Sequence, residues 1–400
     1  MRLVKSLFLL VLLTLPLGQL SRLEVAPNVV VYLNDILIPI LILVWLTHSL
    51  LILKKVYLPP FSLRILIFLL IAILSLLVGS LKLTGQETLV SSLFLIRLVE
   101  YVSLYLIGYN LFSVPSFANL VGKIIIFTGF IVALLGFGQV LLIPDFSHLA
   151  ASGGWDPHQY RLLSTFFDPN FVGGFLVMVT SVAVAFLFFH PGLREKAGLI
   201  LFGSSLVLAI ILTLSRSTYL AFFTMLGVLA TIRSRKIFLA LLLALLVFST
   251  IPAVQDRILQ ALNLDDSASA RVVSWQNALI ISKDHPLLGV GFNSYRFAQE
   301  DYGFFADLDD GGHSGSGVDS SLLLVLATTG VAGLVSFLSI LAGFLVRAFR
   351  QRRKKFSLAF LGGLVALMVH SQFVNSLFYP QIMALLWIGA ALMAQEEREL

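Results

Sequence analysis

Long apolar runs separated by short polar breaks fill almost the whole chain, and each run has the length that a bilayer requires. A membrane helix needs about 20 mostly apolar residues. That rule predicts twelve spans, at about 3–20, 29–51, 62–82, 89–112, 118–143, 170–190, 197–214, 217–232, 237–253, 319–346, 357–377 and 380–394. Several are aliphatic on every side, as lipid-facing helices are when each backbone group is satisfied inside its own segment. One long stretch breaks the pattern: residues 254–318 form a polar loop between the ninth and tenth spans. The expected fold is an all-α integral membrane protein, a single polytopic domain over 1–400 with that one large external loop.

Composition agrees and narrows the reading. The chain is 58% hydrophobic and only 12% charged, with a mean hydropathy of +0.97, whereas soluble domains carry about a quarter charged residues. A net charge of +6 would suit nucleic acid, but the basic residues gather in alternate connections. These hold Lys54 and Lys55, then Arg194 and Lys196, then Arg233, Arg235 and Lys236, then Arg347, Arg350, Arg352, Arg353, Lys354 and Lys355. The positive-inside rule assigns these and both termini to the cytoplasm, and the 254–318 loop, with its acidic run at Asp307, Asp309 and Asp310, to the outside. The charge therefore reads as topology, with membrane lipids as the surroundings and no nucleic-acid partner. Cysteine is absent, which excludes disulfides, thiolate metal sites and a cysteine nucleophile. The basic start (Arg2, Lys5) followed by an apolar run has the layout of a signal peptide, but no small-x-small cleavage site follows, so it reads as an uncleaved first span.

The polar residues left over lie mostly on the external side. Arg216, in the turn Ser215-Arg216-Ser217 between two apolar runs, either snorkels to the interface or meets an anion, and charge so placed is a functional-site hypothesis by default. Arg161 and Arg271 share that side. Arginine keeps its charge and offers a planar fork of donors suited to phosphate, although a solvated loop arginine and a helix-face ion pair are the plainer readings of these two. Residues 268–282 read as an amphipathic helix with Val272, Trp275, Ala278 and Leu279 on its apolar face, either lying on the interface with Trp275 as anchor or shaping a site. Asp319 opens the tenth span, either as its N-cap or as a general base. Within the spans, Arg97 and Glu100 stand one turn apart and read as a pair, with Asp35 toward the outer third of its helix. Gly330 and Gly333 read as close helix packing. No metal-ligand cluster, Walker loop or dinucleotide fingerprint stands out.

Taken in order, these residues resemble the O-antigen ligase and polysaccharide polymerase group of bacterial membrane glycosyltransferases. The likeness rests on Arg161 through Phe167-Asp168-Pro169-Asn170, on Leu214-Ser215-Arg216-Ser217, on Arg271 with Trp275, and on Pro286-Leu287-Leu288-Gly289-Val290-Gly291. It ends with Asp319-Ser320, nine residues, then Gly330-x-x-Gly333. The resemblance implies a helical, GT-C-like architecture that passes a glycan from undecaprenyl diphosphate to a glycan or lipid-linked acceptor, with no nucleotide sugar, no cofactor and, in the ligases, no metal. By the same analogy Arg216 and Arg271, with Arg161 as a third member, hold the donor diphosphate. Asp319 is the catalytic base, and His313, Asp168, Asn170 and Trp275 are accessory. The ligases carry His where Asp319 stands, and many polymerase-like members carry Asp, so the pattern favours a polymerase; His313 lies six residues too early to take that place. The site is then expected on the external face of the bacterial cytoplasmic membrane. The alternatives are a carrier of a small anion such as bicarbonate, since members of this broad group have been labelled so, and a non-catalytic partner of a glycan export complex. A carrier calls for broken helices with polar groups near the midplane.

Overall fold

The structure is a computed structural model and describes residues 1–26, 29–147, 156–189, 192–233, 266–304 and 317–396, with single positions at 236, 239, 250 and 255. The chain forms helices α1 (Arg2–Thr14), α2 (Leu33–Thr47), α3 (Ser62–Gly79), α4 (Gly85–Leu111), α5 (Pro115–Leu142), α6 (Pro169–Phe189), α7 (Leu193–Leu212), α8 (Arg216–Arg233), α9 (Asp266–Asp284), α10 (Tyr295–Asp301), α11 (Ser321–Arg350), α12 (Lys355–His370) and α13 (Pro380–Gln395). Among the described residues, eight of the helices are long and apolar enough to cross a membrane, and α12 and α13 are shorter apolar helices. Every predicted span except 237–253 coincides with a helix to within a turn or two; nearly all of that span, and residues 256–265 and 305–316 of the 254–318 loop with His313 among them, lie outside the described residues.

Local chemistry sets several starts. Thr84 and Glu87 form a reciprocal capping box, Thr84 N–H donating to Glu87 at 2.7 Å and Glu87 N–H to the Thr84 hydroxyl, so α4 begins a turn earlier than its hydrophobicity suggests. Proline opens α5, α6 and α13, where its missing N–H costs nothing. The fold is not wholly helical: β1 (Leu23–Ala26) pairs antiparallel with β2 (Val29–Val31), Leu23 opposite Val31. The second span therefore starts at Leu33 rather than 29, because a run of three β-branched valines prefers the pleated conformation.

The bundle is driest around α6, α12 and α13, whose residues are buried on nearly every side. Small residues let these helices close up; a Cβ on Gly173 of α6 would fall 2.0 Å from the Thr218 hydroxyl of α8. Outer helices keep large apolar side chains on the surface, among them Leu43, Leu70 and Leu201, a face that suits lipid tails and would aggregate in water. Inside, Arg97 pairs with Asp35 of α2 at 2.6 Å and not with Glu100. Its Nε adds a second bond to the same carboxylate at 3.1 Å, a forked geometry that a neighbour one turn away on α4 does not offer.

The two ends of the bundle differ in chemistry. At one, Glu396 accepts from the Phe356 and Ser357 N–H groups at 2.8 Å each, capping α12; the Arg347 guanidinium holds the Ala394 carbonyl, and Lys355 meets Asn119. At the other end gather the β-hairpin, the starts of α4, α6 and α11, the segment 286–296 and the turn 371–379. The basic residues Arg347, Lys354 and Lys355 thus lie at the end of α11 away from Asp319, while the acidic run at Asp307, Asp309 and Asp310 lies outside the described residues.

At that second end α11 is broken. Gly330 sits at φ 64°, ψ −169°, splitting the helix into two pieces. The break frees backbone groups, and the segment from Pro286 to Gly291 takes them: Val290 and Gly291 N–H donate to the Ala327 and Thr328 carbonyls at 3.0 and 3.2 Å, while Val331 and Ala332 N–H donate to the Pro286 and Leu287 carbonyls at 2.8 and 3.3 Å. The Ser75 hydroxyl of α3 caps the exchange by bonding the Leu288 and Thr328 carbonyls. Gly330 and Gly289 are required here, since each has positive φ and an added Cβ would lie 2.2 to 2.3 Å from the other segment's backbone. Gly330→Ala is therefore expected to cost at least about 1–3 kcal/mol, read as a lowered unfolding temperature of the detergent-purified protein, while Gly85→Ala, which meets nothing within 4 Å, leaves it unchanged.

Candidate functional site

The turn before α8 is built from strain and fixed by its neighbours. Leu214 holds φ 49°, a left-handed conformation that costs a branched side chain about 1–2 kcal/mol. Arg161 braces it, with Nε donating to the Thr213 carbonyl at 2.9 Å and Nη2 reaching the Leu214 carbonyl at 3.5 Å. Arg161 is thus a structural brace for the Arg216 turn rather than a solvated loop arginine. The next residue continues the network: the Ser215 hydroxyl donates to Asn170 Oδ1 at 2.7 Å. Asp168 stands just before, its Oδ1 accepting from the Asn170 and Phe171 N–H groups at 2.7 and 2.9 Å, so it caps α6. Asp156, His158 and Asp168 have ligand atoms within 4.8 Å of one another, the one His and carboxylate cluster of metal-binding spacing among the described residues, with Asp168 already occupied in that cap.

From Asn170 the constellation passes to a residue that the sequence does not single out. His370, at the end of α12, is fully buried, approaches the Asn170 backbone and feels the charge of Arg271, while its Nδ1 meets the Ser376 hydroxyl at 3.1 Å. A Cβ on Gly174 of α6 would fall 3.1 Å from its ring, so a glycine makes room for it. The only sequence signal was a lone imidazole at the end of an apolar run.

Helix α9 supplies the other side. Its buried face is Ser274, Ala278, Ile281 and Ser282, with Trp275 beside it, whereas Val272 and Leu279, expected on the apolar face, are exposed. The face is rotated because its partner is α11, and small residues permit that close approach. Arg271 precedes Ser274 and Trp275 by one turn. Both of these grip Asp319: the Trp275 indole donates to the Asp319 carbonyl at 3.0 Å and the Asp319 N–H donates to the Ser274 hydroxyl at 3.1 Å. Trp275 thereby shapes the site, and its ring also packs near Phe373, 6.1 Å between centroids. Asp319 is not the N-cap of α11; that role belongs to Ser320, whose hydroxyl accepts from the Leu323 N–H. The Asp319 carboxylate lies close enough to Tyr295 for its charge, after burial, to help push the phenol well above its ordinary pKa. Ser321 then ties α11 to the turn after α12, its N–H donating to the Ser371 carbonyl at 2.8 Å and its hydroxyl accepting from Leu377 N–H at 3.1 Å.

The candidates from sequence thus fall into one connected neighbourhood: Arg161 against the Arg216 turn, that turn against Asn170, Asn170 against His370, His370 beside Arg271, and the Arg271 helix against Asp319. Two hollows flank it. An apolar groove of about 640 Å³ runs between α6, α7 and α8, lined by Tyr219, Phe222, Phe223 and Leu226, residues that descend α8 from Arg216. A second cavity of about 440 Å³ lies between the β-hairpin, α4, the 292–297 segment and the start of α13.

Fold and site together define a multi-pass helical membrane protein with a cationic, carboxylate-bearing site at one end of its bundle. Residues 199–338, from α7 through the Arg216 turn and α9 to the broken part of α11, match the family model described as O-antigen ligase. Over this segment, about a third of the chain, the protein is similar to O-antigen ligases. No curated protein matches the chain.

The grip on Asp319 gives a direct test. Trp275→Phe keeps the ring and removes one hydrogen bond, so a loss of about 0.5–1.5 kcal/mol and faster amide exchange across residues 317–321 are expected by hydrogen-exchange mass spectrometry. Unchanged exchange there would mean that the indole bond does not hold Asp319.

Proposed function

We propose that the protein transfers an oligosaccharide or polysaccharide from undecaprenyl diphosphate to an acceptor hydroxyl, as a polymerase rather than a lipid A-core ligase. The observation that carries this reading is that Arg216 opens α8 one turn before Tyr219, which lines the apolar groove along that helix. A charged head over a long apolar trough matches a diphosphate joined to a polyprenyl chain. Arg216 and Arg271 hold the diphosphate, Arg161 braces the turn that presents Arg216, and Asn170 and His370 sit between the two arginines as supports. Asp319 takes the proton of the acceptor hydroxyl as its oxygen bonds to the anomeric carbon. The bond from that carbon to the diphosphate breaks, and the leaving oxygen keeps the electron pair, its charge met by guanidinium groups placed in advance. With Ser320 as the cap of α11, a purely structural role for the Asp319 carboxylate loses its main support. The scheme uses no cofactor, and the polymerase reading follows from Asp at the position where the ligases carry His.

In this proposal the site faces the outside of a bacterial cytoplasmic membrane, with both termini and the 347–355 basic cluster inside and twelve spans in a GT-C-like arrangement. A carrier is the weaker reading. The helix break that such a protein needs is present at Gly330, but its freed backbone groups are taken by residues 286–291, and the last turn of α3 lies against this exchange, with Ser75 bonding the Thr328 carbonyl and Gly79 facing Val290 and Gly291.

In proteoliposomes supplied with a polyprenyl-diphosphate-linked glycan, Arg216→Ala is expected to lower transfer about 100-fold or more while membrane insertion stays intact; full transfer would sink the clamp. Asp319→Asn is expected to lower transfer by about 100-fold or more and to remove the acid limb of the pH–rate profile. A variant that keeps the wild-type profile would remove Asp319 from the proton transfer.

A further inference from the structure

Tyr295 opens α10 with its ring buried, 1% exposed, in an apolar cluster that also holds Ala278 and Ile281 of α9, Val318, and Leu324 and Ala327 of α11. Its phenol oxygen is shut from solvent as well, and it makes no hydrogen bond with the described residues. A buried hydroxyl in that condition is an exception in folded proteins, because the hydrogen bonds it gave up to water have not been replaced.

The group placed to take that hydrogen is the Asp319 carboxylate. Val318, a member of the same cluster as the ring, directly precedes it. The carboxylate stands near enough for its charge, after burial, to raise the Tyr295 pKa, so the phenol keeps its proton and remains a donor. A carboxylate offers about four acceptor positions, and a bond from Tyr295 therefore excludes none of its other contacts. Both partners are held from behind. Asp319 is gripped at its main chain by Ser274 and Trp275. Tyr295 is carried by the segment that fills the Gly330 break: Gly291 and Asn293 turn it at φ 113° and 58°, the Ser294 N–H donates to the Gly291 carbonyl at 3.0 Å, and the Ser294 hydroxyl meets that of Ser91 on α4 at 3.1 Å.

We propose that Tyr295 is the positioning residue of the base: during transfer its hydroxyl donates to one oxygen of the Asp319 carboxylate and leaves the other turned to the acceptor hydroxyl. This deepens the glycan-transfer reading and rests on Asp319 being its base. A side-chain rotation brings the two groups together while both main chains stay where they are. The bond favours the ionised carboxylate, the form that accepts a proton. Tyr295 keeps its own proton throughout; the acceptor's proton goes to the other oxygen of Asp319 as the acceptor oxygen bonds to the anomeric carbon. Buried among apolar side chains, the phenol acts through Asp319 and not on the sugar.

The test is Tyr295→Phe, which keeps the ring and removes only the oxygen. It is assayed in proteoliposomes with a polyprenyl-diphosphate-linked glycan, beside thermal unfolding of the detergent-purified protein. Because the oxygen is unpaired in the free protein, the unfolding temperature is expected to hold or rise. Turnover is expected to fall about tenfold with the KM for the glycan donor unchanged. The acid limb of the pH–rate profile is expected to move up by about one unit, since a carboxylate that loses a donor holds its proton more tightly. Arg271, one turn before Ser274 on the gripping helix, keeps its charge in the variant, so the shift reads the phenol alone. A lowered unfolding temperature with an unmoved acid limb would make the hydroxyl structural, and wild-type turnover and profile would remove it from the reaction; either result overturns the proposal. The two readings fail separately. An Asp319→Asn variant with the wild-type profile removes the base and this role with it, whereas loss of transfer in Asp319→Asn beside an unmoved acid limb in Tyr295→Phe removes the positioning role alone.

Discussion

Everything at the working end depends on one exchange of backbone hydrogen bonds. At Gly330 the helix α11 gives up its own ladder, and the loop segment from Pro286 to Gly291 replaces it, donor for acceptor, over two pairs of bonds. An unwound turn beside a lipid-facing helix would be costly with its N–H and C=O groups bare; here each of those freed groups has a partner, and Ser75 adds a hydroxyl. This exchange does two things. It nails the long loop to the bundle, and it fixes the register between α9, which ends just before His285, and the first turns of α11. Ser274 and Trp275 can therefore meet Asp319 at hydrogen-bond distance, and Arg271 is carried to His370 on the same helix.

The second half of the site is fixed by a different device. The Arg216 turn is strained at Leu214 and held by the Arg161 fork on one side and the Asn170 amide on the other. Asn170 itself stands in the first turn of a helix capped by Asp168 and opened by Pro169. These residues belong to the same end of α6 that leaves room for His370 at Gly174. The two cationic positions are thus set by separate parts of the chain that converge on α6 and on the turn after α12. In the proposed reaction this division has a purpose: the lipid trough lies on the α7 and α8 side, and the carboxylate on the α9 and α11 side.

Much of this was legible from local pattern. Bilayer thickness fixes how long an apolar run must be, so most of the helices could be placed along the chain without knowing how they pack. The Thr84-x-x-Glu87 spacing fits a capping box, although the apolar run alone put the start of that span at about 89. Arg216 declared itself because a guanidinium between apolar runs has no cheap resting place. Other features were misread because spacing gives neighbours along a helix and nothing about neighbours across it. Arg97 had Glu100 one turn away, but its carboxylate is Asp35, 62 positions distant. Val272 and Leu279 looked like the buried face of α9, but that face is decided by what α11 presents. Asp319 looked like a cap until the backbone gave that role to Ser320.

By itself, then, the sequence determined a membrane bundle and the residue types able to meet a diphosphate and accept a proton, since those follow from apolar length and charge. Only the tertiary structure decided that Gly330 is a break rather than a packing contact, that His370 belongs to the site, and that Arg161 serves as a brace. Those three depend on groups brought together from distant segments. In a bundle where most of the surface is uniformly apolar, shape and backbone satisfaction choose the partners.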